Sequence, residues 1–373
     1  MRLTELNTPA LVLDIERARR NAERMSARVR RFGARLRPHV KTHKCAEVAR
    51  LQTEHSEAAL TVSTLAEARF FAERGFTDLT YAVPVEPGKF AAAIDLAQRG
   101  VRLALITDDA ETPAPLDDAA WHAGVALDVF LKVDCGYHRC GVEPDTAEAR
   151  EIPRRIADAR NLRFAGILTH AGHSYHARTR EELLSVARRE RDVMAAFAQE
   201  LRTEGIEVPT VSVGSTPTLS VAEHLEGVDE ARPGNYIFYD AFQATLGSCA
   251  FTDCALTVLA AVVHRDRTRR KVVIDAGAIA LSKDRGATEL DPASGFGKVL
   301  DLEGNDLGLR VNSVSQEHGV IQIGDDKLFD RLRVGERVRV LANHSCLTAA
   351  QHPFYNVLEG DQLVDKWEIQ RGW

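Results

Sequence analysis

No two of the chain's six cysteines stand at the CxxC spacing, and they are scattered over 373 residues. A disulfide framework is therefore excluded. No apolar run approaches the roughly 18 residues of a membrane span. The opening Met-Arg-Leu-Thr-Glu-Leu lacks the apolar stretch of a secretory signal. A basic surplus is missing too: Lys and Arg total 48 against 54 Asp and Glu, a formal charge of -6. Phosphate backbones call for the opposite balance, so nucleic acid is not an expected partner. There is no low-complexity tract, no internal repeat, and no GxGxxG after any early strand candidate. What is present is 45 % hydrophobic and 27 % charged residues, in a chain long enough for two or three domains. These features describe a reduced, cytoplasmic, globular protein of enzyme size.

The apolar run 10–13 reads as a strand. Asp14 follows as an N-cap, and Ile15, Ala18, Ala22, Met25, Val29 and Phe32 recur at helical spacing up to Gly33, which predicts a helix over 15–32. Further strand candidates come in series at 36–40, 60–64, 79–83, 103–107, 127–133, 164–169, 210–213 and 235–238. Amphipathic stretches separate most of them. The clearest begins at Thr179, with Glu182 three residues on, and runs to about 205. Eight strand–helix units predict an α/β fold, a (β/α)8 TIM-type barrel, with an open doubly wound sheet as the alternative. The acidic segment 108–118 reads as a surface excursion. Near residue 245 the texture changes to short β-rich runs at 255–263, 271–275, 309–314, 319–323, 336–341 and 362–368. The expected organisation is thus a barrel over 1–244, with 8–14 as a candidate strand of the second domain, and a mostly-β domain over 245–373.

Barrels carry their active sites at the C-terminal ends of their strands. Lys41 leaves the first of those ends within RPHVKTHK, and Gly214-Ser215-Thr216 and Gly234-Asn235-Tyr236 sit at the last two. Glycine turns there suit a phosphate, although two ordinary turns would look the same. A surface lysine is likewise the plain alternative for Lys41. Lysine and phosphate cradle together are what pyridoxal phosphate requires: covalent capture at one end, anion binding at the other. In the β domain, His344-Ser345-Cys346 would place imidazole and thiolate on one face of a strand. Both are zinc ligands, and a core histidine beside a buried cysteine is the alternative. Gln316-Glu317-His318-Gly319 and Asp275 read as further polar clusters or as turn formers.

These motifs together resemble the fold-type III pyridoxal-phosphate enzymes, whose barrel is shared with alanine racemase. Among them the chain looks most like the metal-dependent D-serine dehydratase group, with D-threo-3-hydroxyaspartate dehydratase and, more distantly, D-threonine aldolase. The resemblance runs through TPALVLD (8–14), RPHVKTHK (37–44), KVDCGYHRCGV (132–142), ILTHAGHSY (167–175), VSVGSTPT (211–218), RPGNYIFYD (232–240), DAGAIALSKDRG (275–286), QEHG (316–319) and NHSCLTAA (343–350). It implies that Lys41 carries the cofactor as a Schiff base and serves as the Cα base. It further implies that Arg139 approaches the phenolic oxygen, and that His170 and Tyr175 line the pyridine ring. Gly214, Ser215, Thr216, Gly234, Asn235 and Tyr236 hold the phosphate, and Arg232 falls near the pyridine nitrogen. His344 and Cys346 match the metal ligands, for zinc or alternatively manganese. A head-to-tail homodimer is implied as well.

The reaction so implied is dehydration and deamination of a small D-β-hydroxy amino acid to a 2-oxo acid and ammonia. The metal would act as Lewis acid on the β-hydroxyl. The alternative is retro-aldol cleavage to glycine and an aldehyde, the activity of the aldolases, whose motif at this locus ends in Asp followed by Pro-Thr. His-Ser-Cys followed by Leu-Thr favours the dehydratase. A racemase would need a tyrosine base that DAGAIALSKDRG does not offer. A binding module without a catalytic role would end at the barrel. A second substrate carboxylate would call for a cation, for which His39, His43, His173 and Arg285 are the candidates.

Overall fold

The computed structural model describes residues 2–286 and 288–373. Two compact units emerge: residues 1–22 with 235–371, and 23–234 with 372–373. Strand β1 (Ala10–Asp14) leads into the helix Ile15–Arg31, within which the division falls. Asp14 Oδ1 accepts the Arg17 N–H at 2.9 Å and caps this helix. Gly33, at φ +77°, supplies the left-handed residue that ends it.

Residues 23–234 contain the barrel. Its strands among the described residues are β2 (Arg35–Leu36), β3 (Ala59–Val62), β4 (Asp78–Pro84), β5 (Arg102–Thr107), β6 (Leu127–Lys132), β7 (Leu162–Leu168), β8 (Val211–Val213) and β9 (Glu230–Ala231). They pair in parallel in the order β2-β9-β8-β7-β6-β5-β4-β3. The ends of that order meet at a parallel bridge between His39 and Thr61, where the Thr61 N–H donates to Pro38 O at 2.9 Å. The sheet is thereby closed, as the strand–helix rhythm predicts, and the open doubly wound alternative falls. Ala104, Ile106, Phe130 and Leu168 form a buried apolar cluster on β5, β6 and β7.

Two expectations need correction here. The eighth strand is Glu230–Ala231, and 235–238 is not a strand: Asn235–Ile237 forms a 3-10 turn, with the Phe238 N–H donating to Asn235 O at 3.0 Å. Pro233 has no N–H for a ladder. A short buried apolar run such as Asn-Tyr-Ile-Phe has no periodicity to tell strand from turn. Glu230 hides a strand because its charge reads as surface, yet it is fully buried and paired to Arg35 at 2.8 Å and Arg37 at 2.6 Å. The segment 108–118 is in its second half the start of a helix, Pro113–Ala123, with proline in the first turn, where no N–H is needed.

The second unit is β-rich. With β1 it joins β10 (Leu256–Asp266), β11 (Lys271–Ile274), β12 (Lys298–Leu300), β13 (Asp306–Val314), β14 (Gly319–Gln322), β15 (Arg337–Leu341), β16 (Phe354–Glu359) and β17 (Gln362–Glu368) in the order β11-β14-β13-β12-β15-β10-β1-β16-β17. All pairs are antiparallel except β1 with β16. β12 and β16 have no counterpart among the sequence-predicted strands. β1 sits between β10 and β16, so the chain's first strand is an interior strand of this sheet, packed through Leu3, Leu6, Ala10, Val12, Leu259 and Leu358. Asp275 is a structural fastener: its carboxylate takes the Ala261 N–H at 2.7 Å and the Thr8 hydroxyl at 2.5 Å. QEHG is a turn, closed by the Ser315 N–H donating to His318 O at 2.8 Å. No helix among the described residues is long and apolar enough to cross a membrane.

Candidate active site

In the barrel unit, Lys41 stands in a 3-10 turn, Val40–Thr42, directly after β2. Val40 and Thr42 are buried and pin the backbone, while Lys41 itself is exposed. His39 precedes it, and its Nδ1 accepts the Lys41 N–H at 3.5 Å. Burial, then the charges of Lys41, Arg232 and His170, hold the His39 imidazole well below the usual histidine range. His170, after β7, is held down in the same way by burial, Lys41, Lys132 and Arg139. Two neutral imidazoles therefore face a gathering of four cations.

One of those cations was not singled out in the sequence. Lys132 ends β6, is 4 % exposed, and is pushed down to about 8 by burial and by Arg232. The signal was available: a lysine closing an otherwise apolar strand at the C-terminal end of a barrel. Arg232 is buried and lowered to about 10 by that burial, against which Glu230 and Glu190 work. Its guanidinium donates to Ser212 Oγ and Thr169 O.

Arg139 rides on a loop folded by Asp134, whose carboxylate accepts the N–H groups of Gly136, Tyr137 and His138, each at 2.8 Å. Its guanidinium lies 5.1 Å from the Tyr137 ring centre, and that ring meets His170 edge-on at 6.2 Å. Tyr137 is a second residue the sequence reading passed over. Tyr175 is half-buried in the 3-10 turn Gly172–His176. A Cβ on Gly172 would lie 2.3 Å from the Tyr137 ring, so this turn admits only glycine there.

Gly214, at φ +113°, turns the chain after β8. Its carbonyl lies 3.5 Å from His170 Nδ1, and its N–H donates to Glu190 at 3.1 Å. Ser215 caps the short helix Thr216–Val221: its hydroxyl accepts the Thr218 N–H at 3.3 Å and lies 3.1 Å from Ser174 Oγ. The Gly214 and Ser215 amides are thus already engaged, the latter with Thr218 Oγ1 at 3.1 Å. Gly234 packs so closely that a Cβ would fall 2.8 Å from His39 O.

Among the residues proposed as cations for a second carboxylate, His43 receives the Cys45 N–H on Nδ1 at 3.1 Å and reaches Gln52 Oε1 through Nε2 at 2.8 Å, and burial lowers it to about 4. His39 and His173 are also lowered, in each case foremost by burial.

In the β-rich unit, His344 is not on a strand. It is the extended N-cap residue of the helix Ser345–Ala349, which puts Cys346 in the helix's first turn. The helical turn replaces the expected alternation, yet the two side chains still meet. Burial opposes charge on His344, but the Cys346 thiolate and a 2.8 Å hydrogen bond from Nδ1 to Asp284 Oδ2 raise it to about 11. Asp284 lies in the quoted DAGAIALSKDRG, though nothing in the sequence marked it. Among the described residues no group of three or more His, Cys, Asp or Glu side chains is poised as a metal cage, so His344 and Cys346 stand as a donor pair. All six cysteines are free.

Asp240 steadies this centre. Its Oδ2 accepts the Ser345 N–H at 3.0 Å and the Asn235 side-chain N–H at 2.7 Å. Asn235 Nδ2 also lies 3.7 Å from Cys346 Sγ, and its buried Oδ1 has no hydrogen-bond partner among the described residues. Tyr236 is fully buried.

An alanine-racemase-type barrel joined to a β-rich unit with a His–Cys pair defines a class of protein, and comparison with known proteins narrows it. Residues 13–241 match the alanine racemase N-terminal domain, and 255–358 match a serine dehydratase domain. The chain is 40 % identical to D-threo-3-hydroxyaspartate dehydratase of Delftia sp. (strain HT23), covering 100 % of this chain and 99 % of that one. It is 35 % identical to D-serine dehydratase of Dictyostelium discoideum, covering 100 % and 98 %. Identity to D-threonine aldolase of Arthrobacter sp is 30 %, covering 98 % and 93 %. The chain belongs to the family of D-serine and D-threo-3-hydroxyaspartate dehydratases built on the alanine racemase barrel.

The solved Delftia structure superposes with a TM-score of 0.96 at 40 % identity, over 100 % of both chains. Variants of a D-threo-3-hydroxyaspartate dehydratase, 39 % identical to this chain with TM-scores of 0.97, have been solved with a cysteine replaced by alanine, in a metal-free form, and with a histidine two positions earlier replaced by alanine. Alanine racemase of Clostridium difficile 630 shares the fold, with a TM-score of 0.71 at 16 % identity over 97 % and 99 % of the chains.

Proposed function

We propose that this chain is a pyridoxal-phosphate- and divalent-metal-dependent lyase that converts a D-β-hydroxy amino acid, D-serine or D-threo-3-hydroxyaspartate, to a 2-oxo acid and ammonia. The observation that carries the reading is the barrel mouth, where Lys41, Lys132, Arg139 and Arg232 bear on two neutral imidazoles. Such a mouth suits an anionic cofactor and a substrate carboxylate. Pyridoxal phosphate supplies an electron sink that acidifies the substrate Cα–H.

Lys41 Nζ would hold the cofactor covalently and would serve as general base for the substrate Cα proton. Arg139 would provide positive charge for the cofactor's phenolic oxygen, His170 and Tyr175 would border its ring, and Arg232 would serve its pyridine nitrogen. Ser215, Thr216 and Gly234 of the barrel unit would hold the phosphate, and Asn235 and Tyr236 are proposed for the same role. Gly214 contributes by its turn, since its N–H is taken by Glu190.

A divalent cation on His344 and Cys346, zinc for its affinity for thiolate or else manganese, supplies Lewis-acid pull on the β-hydroxyl. The histidine and cysteine substituted in the solved D-threo-3-hydroxyaspartate dehydratase variants have the same two-residue spacing, which supports this pair as ligands. Two protein ligands leave room for substrate oxygen, as catalysis needs. A cytoplasmic homodimer completes the proposal; the six free cysteines suit a reducing compartment.

The test is product analysis with D-serine, D-threonine and D-threo-3-hydroxyaspartate, with and without a chelator. Chelator-sensitive 2-oxo acid and ammonia are expected. Glycine with an aldehyde would instead establish retro-aldol cleavage, the activity named for the Arthrobacter relative.

A further inference from the structure

We propose that Glu190 is a positioning residue that joins the loops after β7 and β8 into one rim and thereby sets the affinity for the cofactor's phosphate; this rests on reading Gly214–Thr216 as the phosphate turn. Glu190 projects from the helix Arg180–Thr203 and is 2 % exposed. No ion pair to it exists among the described residues. Its Oε1 accepts two backbone N–H groups, those of Ala171 and Gly214, each at 3.1 Å, and the Thr218 hydroxyl bonds to it as well. One N–H belongs to the residue after His170, the other to the residue before Ser215. Two further links join the same loops: His170 Nδ1 to Gly214 O at 3.5 Å and Ser174 Oγ to Ser215 Oγ at 3.1 Å.

The energetics say what glutamate is there for. Burying a carboxylate costs several kcal/mol, and burial raises this one's proton affinity. An apolar side chain would fill the space without that cost. It would leave two inward-facing peptide N–H groups unsatisfied. Glu190 therefore supplies reach and acceptor capacity to the two loops, in addition to the charge that bears on Arg232.

Glu190→Gln keeps reach and one acceptor oxygen without the charge. Glu190→Asp keeps the charge but withdraws the oxygen by about 1.5 Å. The two variants would be compared with wild type by titrating apoprotein with pyridoxal phosphate, and by amide hydrogen exchange over 169–176 and 211–219. For Glu190→Gln, affinity within about threefold of wild type and slow exchange are expected; for Glu190→Asp, about tenfold weaker binding and faster exchange, the scale of one or two lost hydrogen bonds. Wild-type behaviour of Glu190→Asp, or a greater loss in Glu190→Gln than in Glu190→Asp, overturns the proposal. If wild type itself takes up no pyridoxal phosphate, the phosphate reading has failed, and this proposal's affinity claim with it. Exchange then decides the clamp alone: equal rates in all three proteins overturn it.

Discussion

At the scale of single residues, surroundings give opposite meanings to two histidines. His43 is fully buried, and that burial lowers its pKa to about 4 even though its ring bonds to the Cys45 N–H and to Gln52. A histidine near 6.5 when unfolded and near 4 when folded binds more protons unfolded between those values. Stability should therefore hold above pH 6.5 and decline as pH falls toward 4, by roughly 3 kcal/mol from this group. Urea midpoints across that window should show the slope, and His43→Gln should flatten it. His344 is the converse case, its Nδ1 anchored by Asp284 so that the imidazole is turned toward Cys346. If the pair binds metal, Asp284→Asn should weaken metal affinity about 10- to 100-fold, as loss of an orienting partner does. Isothermal titration with zinc measures it. Lys41, Gly214, His344 and Cys346 were legible in the sequence because motifs carry them. Tyr137, Glu190 and Asp284 were not, since each acts through a partner distant in sequence that only folding brings near, whereas Lys132 carried a signal at its strand end that went unused.

Elements tell a similar story. The helix predicted over 15–32 ends at Arg31, because periodicity and caps are local signals. The short strands β2 and β9 lack such signals. Backbone bonds continue beside them, from the Arg37 N–H to Ala231 O at 2.9 Å and from the His39 N–H to Pro233 O at 2.9 Å. Arg37 fastens them further, holding Glu230 at 2.6 Å and Asp78 at 2.6 Å while itself buried. Arg37→Ala would leave buried Glu230 with Arg35 as its remaining close cation and remove the tie to Asp78, so a loss of about 3 kcal/mol is expected in chemical denaturation. The His-Ser-Cys segment shows why spacing alone misleads: i and i+2 share a face on a strand, and here a helix cap brings the same two side chains together by another geometry.

For the whole molecule, the barrel was readable from its strand–helix rhythm, whereas the partnership of β1 with the distant β10 and β16 depends on pairing across most of the chain. The boundary expected at 244–245 separates β1 from its sheet, apart from the allowance made for 8–14. A fragment of residues 245–373 alone would leave β10 and β16 with exposed edges and lose the packing of Leu3, Leu6, Ala10 and Val12. Circular dichroism should find it without a cooperative melt.

In the proposed enzyme, Lys41 in its cationic barrel mouth holds pyridoxal phosphate. Borohydride reduction of the cofactor-loaded protein, followed by peptide mass mapping, tests this directly. A single pyridoxyl label on Lys41 is expected. A label on Lys132, or on no barrel lysine, would contradict it.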